Sequence, residues 1–238
     1  MVIWAIAGCS RLIPTAEDHY QRAEQYLASG NYDLAVLELR RALAIKPHFP
    51  EAHFRLGWIM FHIQGDVKGA MAEFRTAIEQ GYSHPAVHYE LGAALLEAEF
   101  YDDALEQFNR AIESDYDTAQ VRLDRGRAWL GKGELEKAEQ EFLMAVERHK
   151  PVEFPLAYYY LGEVYQQQKK IAQAITAYQT YVQIMTARLE TLAAEQREAE
   201  GEIIGAPPPI QDMPDIETVK QRIAALQTQL STGQVPPR

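Results

Sequence analysis

Four small or apolar positions return in phase along this chain at a period close to 34 residues. Read as a small residue, an alanine, a Leu or aromatic, and a second small residue, a first copy gives Ala23, Ala35, Leu39 and Ala42. Later copies give Gly57, Ala70, Phe74 and Ala77, then Gly92, Ala104, Phe108 and Ala111, then Gly126, Ala138, Phe142 and Ala145. A fifth gives Gly162, Ala174 and Tyr178, followed by Tyr181 where a small residue is due. The successive alanines lie 35, 34, 34 and 36 residues apart. Self-similarity at such a period marks stacked supersecondary modules, none of which can bury its apolar face alone. Steps of four and three within each copy put the last three positions on one face of a helix.

These residues resemble the tetratricopeptide repeat, a 34-residue helix–turn–helix with a W-x2-L-G-x2-Y, A-x3-F and closing Pro pattern. Leu56-Gly57, Leu91-Gly92, Leu161-Gly162-x2-Tyr165 and Pro47 carry the match. The resemblance implies an all-α, right-handed superhelical solenoid of about five repeats over residues 16–194, at roughly 16–49, 50–84, 85–118, 119–152 and 155–188. It further implies that the Gly or Ala of each first helix lets the alanine of the second approach, with the aromatic filling the gap toward the next repeat. Gly30, Gly65 and Gly133 stand where a left-handed residue ends the first helix. Asp33 and Asp102 stand near the start of second helices. Several residues depart from the pattern. Glu99 and Lys169 replace the turn glycine, the second repeat has one extra residue near Gln64-Gly65, and Arg125 requires an acidic partner. Prolines 151 and 155 predict a bend between the fourth and fifth repeats.

Beyond the repeats, no Pro or Gly interrupts residues 171–200. Ile175, Tyr178, Val182, Met185, Leu189 and Leu192 form one apolar stripe there. Residues 195–214, with three consecutive prolines, read as a linker. A helix over 215–230 carries Ile216, Val219, Ile223, Leu226 and Leu230, and residues 231–238 form a tail. A solenoid end needs a cover for its exposed apolar face, so this helix is expected to cap the array, with docking or dimerisation as the alternative.

At the other end, Ile6-Ala7-Gly8-Cys9 resembles a bacterial lipobox. The resemblance implies a short signal peptide over residues 1–8, its start lying upstream, and a lipid on Cys9 followed by a tether to residue 15. A plain apolar tail is the alternative. Ser10 after Cys9 resembles the sorting pattern of the outer membrane. Cys9 is the single cysteine, which excludes an internal disulfide. Thirty-four acidic against 23 basic residues give a net charge of −11, which argues against phosphate-driven nucleic-acid binding. No stretch reaches the roughly 20 apolar residues of a membrane span.

The chain lacks G-x-S-x-G, H-E-x-x-H, P-loop and G-x-G-x-x-G motifs, so no catalytic residue or cofactor is expected. His19, His53 and His88 share one repeat position. Equivalent positions on adjacent repeats lie about 8–10 Å apart, too far for one metal ion with ~2 Å bonds, so no metal is expected.

In the family the first helices line a concave groove. The resemblance therefore implies a partner-binding stripe of Tyr20, Phe54, Trp58, Phe61, Tyr89, Leu96, Leu123, Arg127, Tyr159 and Glu163. Aromatic and Arg side chains are the usual anchors of interfaces. The next positions, Gln21, Arg55, Glu90, Asp124 and Tyr160, include no Asn, which argues against the carboxylate clamp of chaperone-tail binders. The expected function is a non-catalytic scaffold for a protein or peptide, lipid-anchored in a bacterial envelope and resembling repeat lipoproteins that assist pilus or secretion-system assembly. A soluble cytoplasmic adaptor or co-chaperone, or a regulatory subunit of an enzyme, are the alternatives.

Overall fold

In the computed structural model, residues 14–147, 154–199 and 213–232 are described. The expected signal peptide, Cys9 with its expected lipid, and most of the expected bend, linker and tail lie outside them; residues 231 and 232, expected in the tail, continue the last helix. The chain divides into two compact blocks, Met1–Ala98 and Glu99–Arg238. The first holds α1 (Ala16–Ala28), α2 (Tyr32–Ile45), α3 (Pro50–His62), α4 (Val67–Glu79) and α5 (Ala86–Glu97). The second holds α6 (Tyr101–Glu113), α7 (Ala119–Gly131), α8 (Leu135–Glu147), α9 (Pro155–Gln167), α10 (Ile171–Ala199) and α11 (Ile216–Thr232). Within each block every helix packs on the next in sequence.

Local chemistry sets these boundaries. Thr15 and Asp18 form a reciprocal capping box on α1, while Asp66 caps α4 and Thr118 caps α7. Pro50 and Pro155 open α3 and α9, where a missing N–H costs nothing. At the other ends, Asn31 N–H donates to the Tyr26 carbonyl and Lys170 N–H to the Tyr165 carbonyl, each around a left-handed residue. That residue is Gly30 in one turn and Lys169 in the other, at φ +73° and +61°. Glu99 also holds φ +61°, so both replacements of the turn glycine keep its backbone conformation. The extra residue of the second repeat widens the α3–α4 turn. There Asp66 N–H reaches back six residues to the Met60 carbonyl instead of five.

Ala35, Ala42, Ala70, Ala77, Ala104, Ala111, Ala138, Ala145 and Ala174 are all fully buried. The glycines answer to a different neighbour from the one expected. A Cβ on Gly57 would lie 2.9 Å from the Phe74 ring, on Gly126 2.5 Å from Phe142, and on Gly162 2.5 Å from Tyr178. Each aromatic thus lies on the glycine of its own repeat, and the glycine admits a ring rather than the alanine. In the first repeat, where the ring is replaced by Leu39, the glycine is replaced by Ala23.

The fifth repeat ends differently. Along α10 the buried stripe Ile175, Tyr178, Tyr181 and Met185 packs against Val219, Ile223 and Leu226 of α11. Tyr181, fully buried, fills the slot that alanine occupies elsewhere, and its hydroxyl donates to the Pro214 carbonyl at 2.5 Å. The C-terminal helix therefore covers the last repeat. Leu189 and Leu230, toward the outer ends of the two stripes, stay exposed at 45% and 58%.

Candidate functional site

The first helices of the first block are joined by polar contacts flanked by rings. Arg55 of α3 meets Glu24 of α1, Nε to Oε1 at 2.8 Å, and a second nitrogen donates to Oε2 at 3.0 Å. Tyr20 packs on Phe49 with ring centroids 5.0 Å apart, and burial pushes its hydroxyl up to about 12. His62, the last residue of α3, places Nε2 2.7 Å from Glu90 Oε2 on α5. Its ring lies 4.9 Å from Trp58 and 4.8 Å from Phe61, centroid to centroid. Tyr20, Trp58, Phe61 and Tyr89 are half-buried.

Three of the expected groove residues are core instead. Phe54, Leu96 and Leu123 are 7%, 6% and 2% exposed. Phe54 is sandwiched between Phe74, at 5.9 Å, and Tyr82, at 4.8 Å. The repeat position fixes the direction of a side chain, and the neighbouring helices decide how much of it remains open.

In the second block three further groove residues are engaged by the chain itself. Tyr159 donates to Glu163 at 3.0 Å, and Arg222 of α11 donates to the Tyr159, Glu163 and Tyr178 oxygens at 3.2, 3.1 and 3.0 Å. The Arg222 guanidinium also lies over both rings, 5.6 Å from Tyr159 and 5.5 Å from Tyr178. Arg127 bonds Asp124 at 2.9 Å and lies 5.8 Å from the centre of the Tyr160 ring. Arg222 could not be singled out from sequence, since a charge beside an apolar stripe ordinarily faces water.

The histidine periodicity has a structural use. His19 Nδ1 lies 2.5 Å from Glu38 Oε2, and His53 Nδ1 lies 2.6 Å from Glu73 Oε2. In the fourth repeat Arg122 takes the same position and meets Glu141 at 3.3 Å. These pairs tie the first helix to the second inside a repeat. Glu141 also receives Arg125 at 2.5 Å, which supplies the acidic partner that arginine requires. Among the described residues no group of three His, Cys, Asp or Glu side chains could hold a metal ion, and no helix is long and apolar enough to cross a membrane.

Tetratricopeptide-repeat profiles match residues 23–61, 51–82, 89–153 and 156–184. No curated protein matches the chain. Among solved structures, YrrB, described as a TPR protein with an unusual peptide-binding site, is 20% identical at a TM-score of 0.65. That match covers 77% of this chain and 93% of YrrB. PilW, described as a widely conserved type IV pilus biogenesis factor, is 16% identical at 0.63 over 91% of this chain and 92% of its own. MamA from Desulfovibrio magneticus RS-1 is 21% identical at 0.63 over 74% and 96%. At these identities the likeness is one of fold. Repeat register, helix pairing and profile matches agree, and the chain belongs to the tetratricopeptide-repeat family.

Proposed function

We propose that this protein is a non-catalytic scaffold that receives a segment of a partner protein on its first helices and is held in a bacterial envelope by lipid on Cys9. The observation that carries the reading is the row of half-buried rings, Tyr20, Trp58, Phe61 and Tyr89, in the first block. Half-buried rings on a rigid helical support offer contact area at little entropic cost, the usual property of interface anchors. The likeness in fold to a peptide-binding protein and to a pilus biogenesis factor supports a role in assembling an envelope machine. The lipobox-like Ile6-Ala7-Gly8-Cys9 supports the address.

Two experiments test the two halves. Trp58→Ala with Phe61→Ala should abolish recovery of the partner from envelope extracts while helicity is kept; normal recovery by the folded double variant would move the binding site elsewhere. Cys9→Ser should shift the protein from membrane to soluble fractions and remove palmitate labelling. Equal membrane association in both forms would leave a soluble adaptor as the better reading.

A further inference from the structure

Four acids on the first helices are less than fully exposed: Glu24, Glu90, Asp124 and Glu163. Three of them meet an arginine. Glu24 meets Arg55 at 2.8 Å, Asp124 meets Arg127 at 2.9 Å, and Glu163 meets Arg222 at 3.1 Å. Glu90, with its side chain 11% exposed, meets His62 instead. A guanidinium is always charged, whereas an imidazole carries a full charge only when protonated. A guanidinium can also meet both oxygens of a carboxylate with a planar fork, where His62 offers Glu90 a single ring nitrogen. The residue that aligns in the repeat with Arg127 is Ala93, so α5 has no arginine there to meet its own acid.

The surroundings of Glu90 also suit a cation from outside. Trp58 and Phe61 flank His62, and His62 itself, at the end of α3, is 36% exposed and so reachable from solvent. Aromatic faces attract a guanidinium both electrostatically and by stacking. The chain's net charge of −11 favours approach of basic segments.

We propose, resting on the scaffold reading above, that the partner segment carries an arginine whose guanidinium takes over the Glu90 carboxylate from His62 and lies against Trp58 and Phe61. The partner thereby completes the one carboxylate–guanidinium pair that the chain leaves open among these four acids.

The test uses the full chain, isotope-labelled, and a short, otherwise uncharged peptide bearing one central arginine, with a twin carrying citrulline, which has nearly the same shape and no charge. The arginine peptide should shift the Trp58 indole and His62 ring resonances and bind about ten-fold more tightly than its twin. Glu90→Gln should erase that preference. His62→Arg should also erase it, because the variant brings its own guanidinium to Glu90, but it should raise the melting temperature. Loss of binding with gained stability separates occupation of the site from damage to it. Equal binding of the two peptides, shifts confined to other residues, or an undiminished preference in Glu90→Gln would overturn the inference. If the partner recovered from extracts is lost with Trp58→Ala while the two peptides bind alike, the scaffold reading stands and the arginine inference falls.

Discussion

At the scale of single residues, the second, fourth and fifth repeats rest on matched pairs across the helical hairpin. Gly126 has no Cβ, and one added there would lie 2.5, 2.7 and 3.0 Å from three atoms of the fully buried Phe142 ring. Alanine in a helix is worth about 1 kcal/mol over glycine, while overpacking a filled core costs about 1–3 kcal/mol. Contacts this short to a fully buried ring put the balance on the unfavourable side. Gly126→Ala should therefore lower stability by up to about 2 kcal/mol, read by urea or thermal unfolding. In the Phe142→Leu background the same change should be neutral or stabilising, because the chain already combines Ala23 with Leu39 in its first repeat. A glycine-to-alanine effect of the same sign and size in both backgrounds would show that ring and glycine are not coupled. This pairing was partly legible in sequence. The covariation of Gly with aromatic and Ala with Leu is visible there, but which helix the ring touches depends on the packing of the hairpin.

At the scale of elements, α11 stands in for the first helix of a repeat that is not there. The other repeats place Ala42, Ala77, Ala111 and Ala145 in the slot where the fifth has Tyr181, and that larger side chain packs with Val219 and Ile223 and bonds the Pro214 carbonyl. Tyr181→Ala should open a cavity and leave the carbonyl without its donor, costing about 3–5 kcal/mol. Amide protection in α11 and in the last turns of α10 should fall before that of α7 and α8, since the lost contacts are local. A uniform loss of protection across the second block would show that the block unfolds as one cooperative unit. The apolar stripes of α10 and α11 were legible because period alone defines them. The Tyr181 anomaly was visible too, as a departure with no evident purpose until α11 supplied one. The groove is less legible, since Phe54 and Leu123 hold the same repeat position as Tyr20 and Tyr89, and Leu96 the same position as Phe61. What separates them is coverage by second helices and turn residues such as Phe74 and Tyr82, which no single-helix pattern encodes.

At the scale of the whole molecule, the excess of acid determines how stability should answer to pH. Burial by itself raises the Glu38 carboxyl, but hydrogen bonds from His19 and Arg41, both at 2.5 Å, outweigh it and hold the group below the usual carboxylate range. Glu139 is likewise held low, by Gln168 and Lys170 against the effect of burial. At the surface, Thr15 lowers Asp18 and Thr218 lowers Asp215 through backbone and side-chain bonds. A carboxyl with a lowered folded pKa takes up its proton first in the unfolded chain, so falling pH favours unfolding. The stabilisation is complete above the ordinary carboxylate value of about 4.3 and is lost as pH drops through the lower folded values. Between pH 7 and 5 a smaller effect runs the other way, because reducing a net charge of −11 relieves self-repulsion. Unfolding free energy should therefore stay flat or rise slightly down to about pH 5 and fall steeply below about pH 4.5. Glu38→Gln keeps the shape but not the charge, and removing a buried charged acceptor should cost about 1–3 kcal/mol at neutral pH. As the medium is taken toward pH 3, wild type and variant should converge, because protonation removes the same charge that the substitution removes. A difference between them that stays constant down to pH 3 would mean that Glu38 contributes by packing alone, and that the acid limb of the stability curve belongs to other carboxylates.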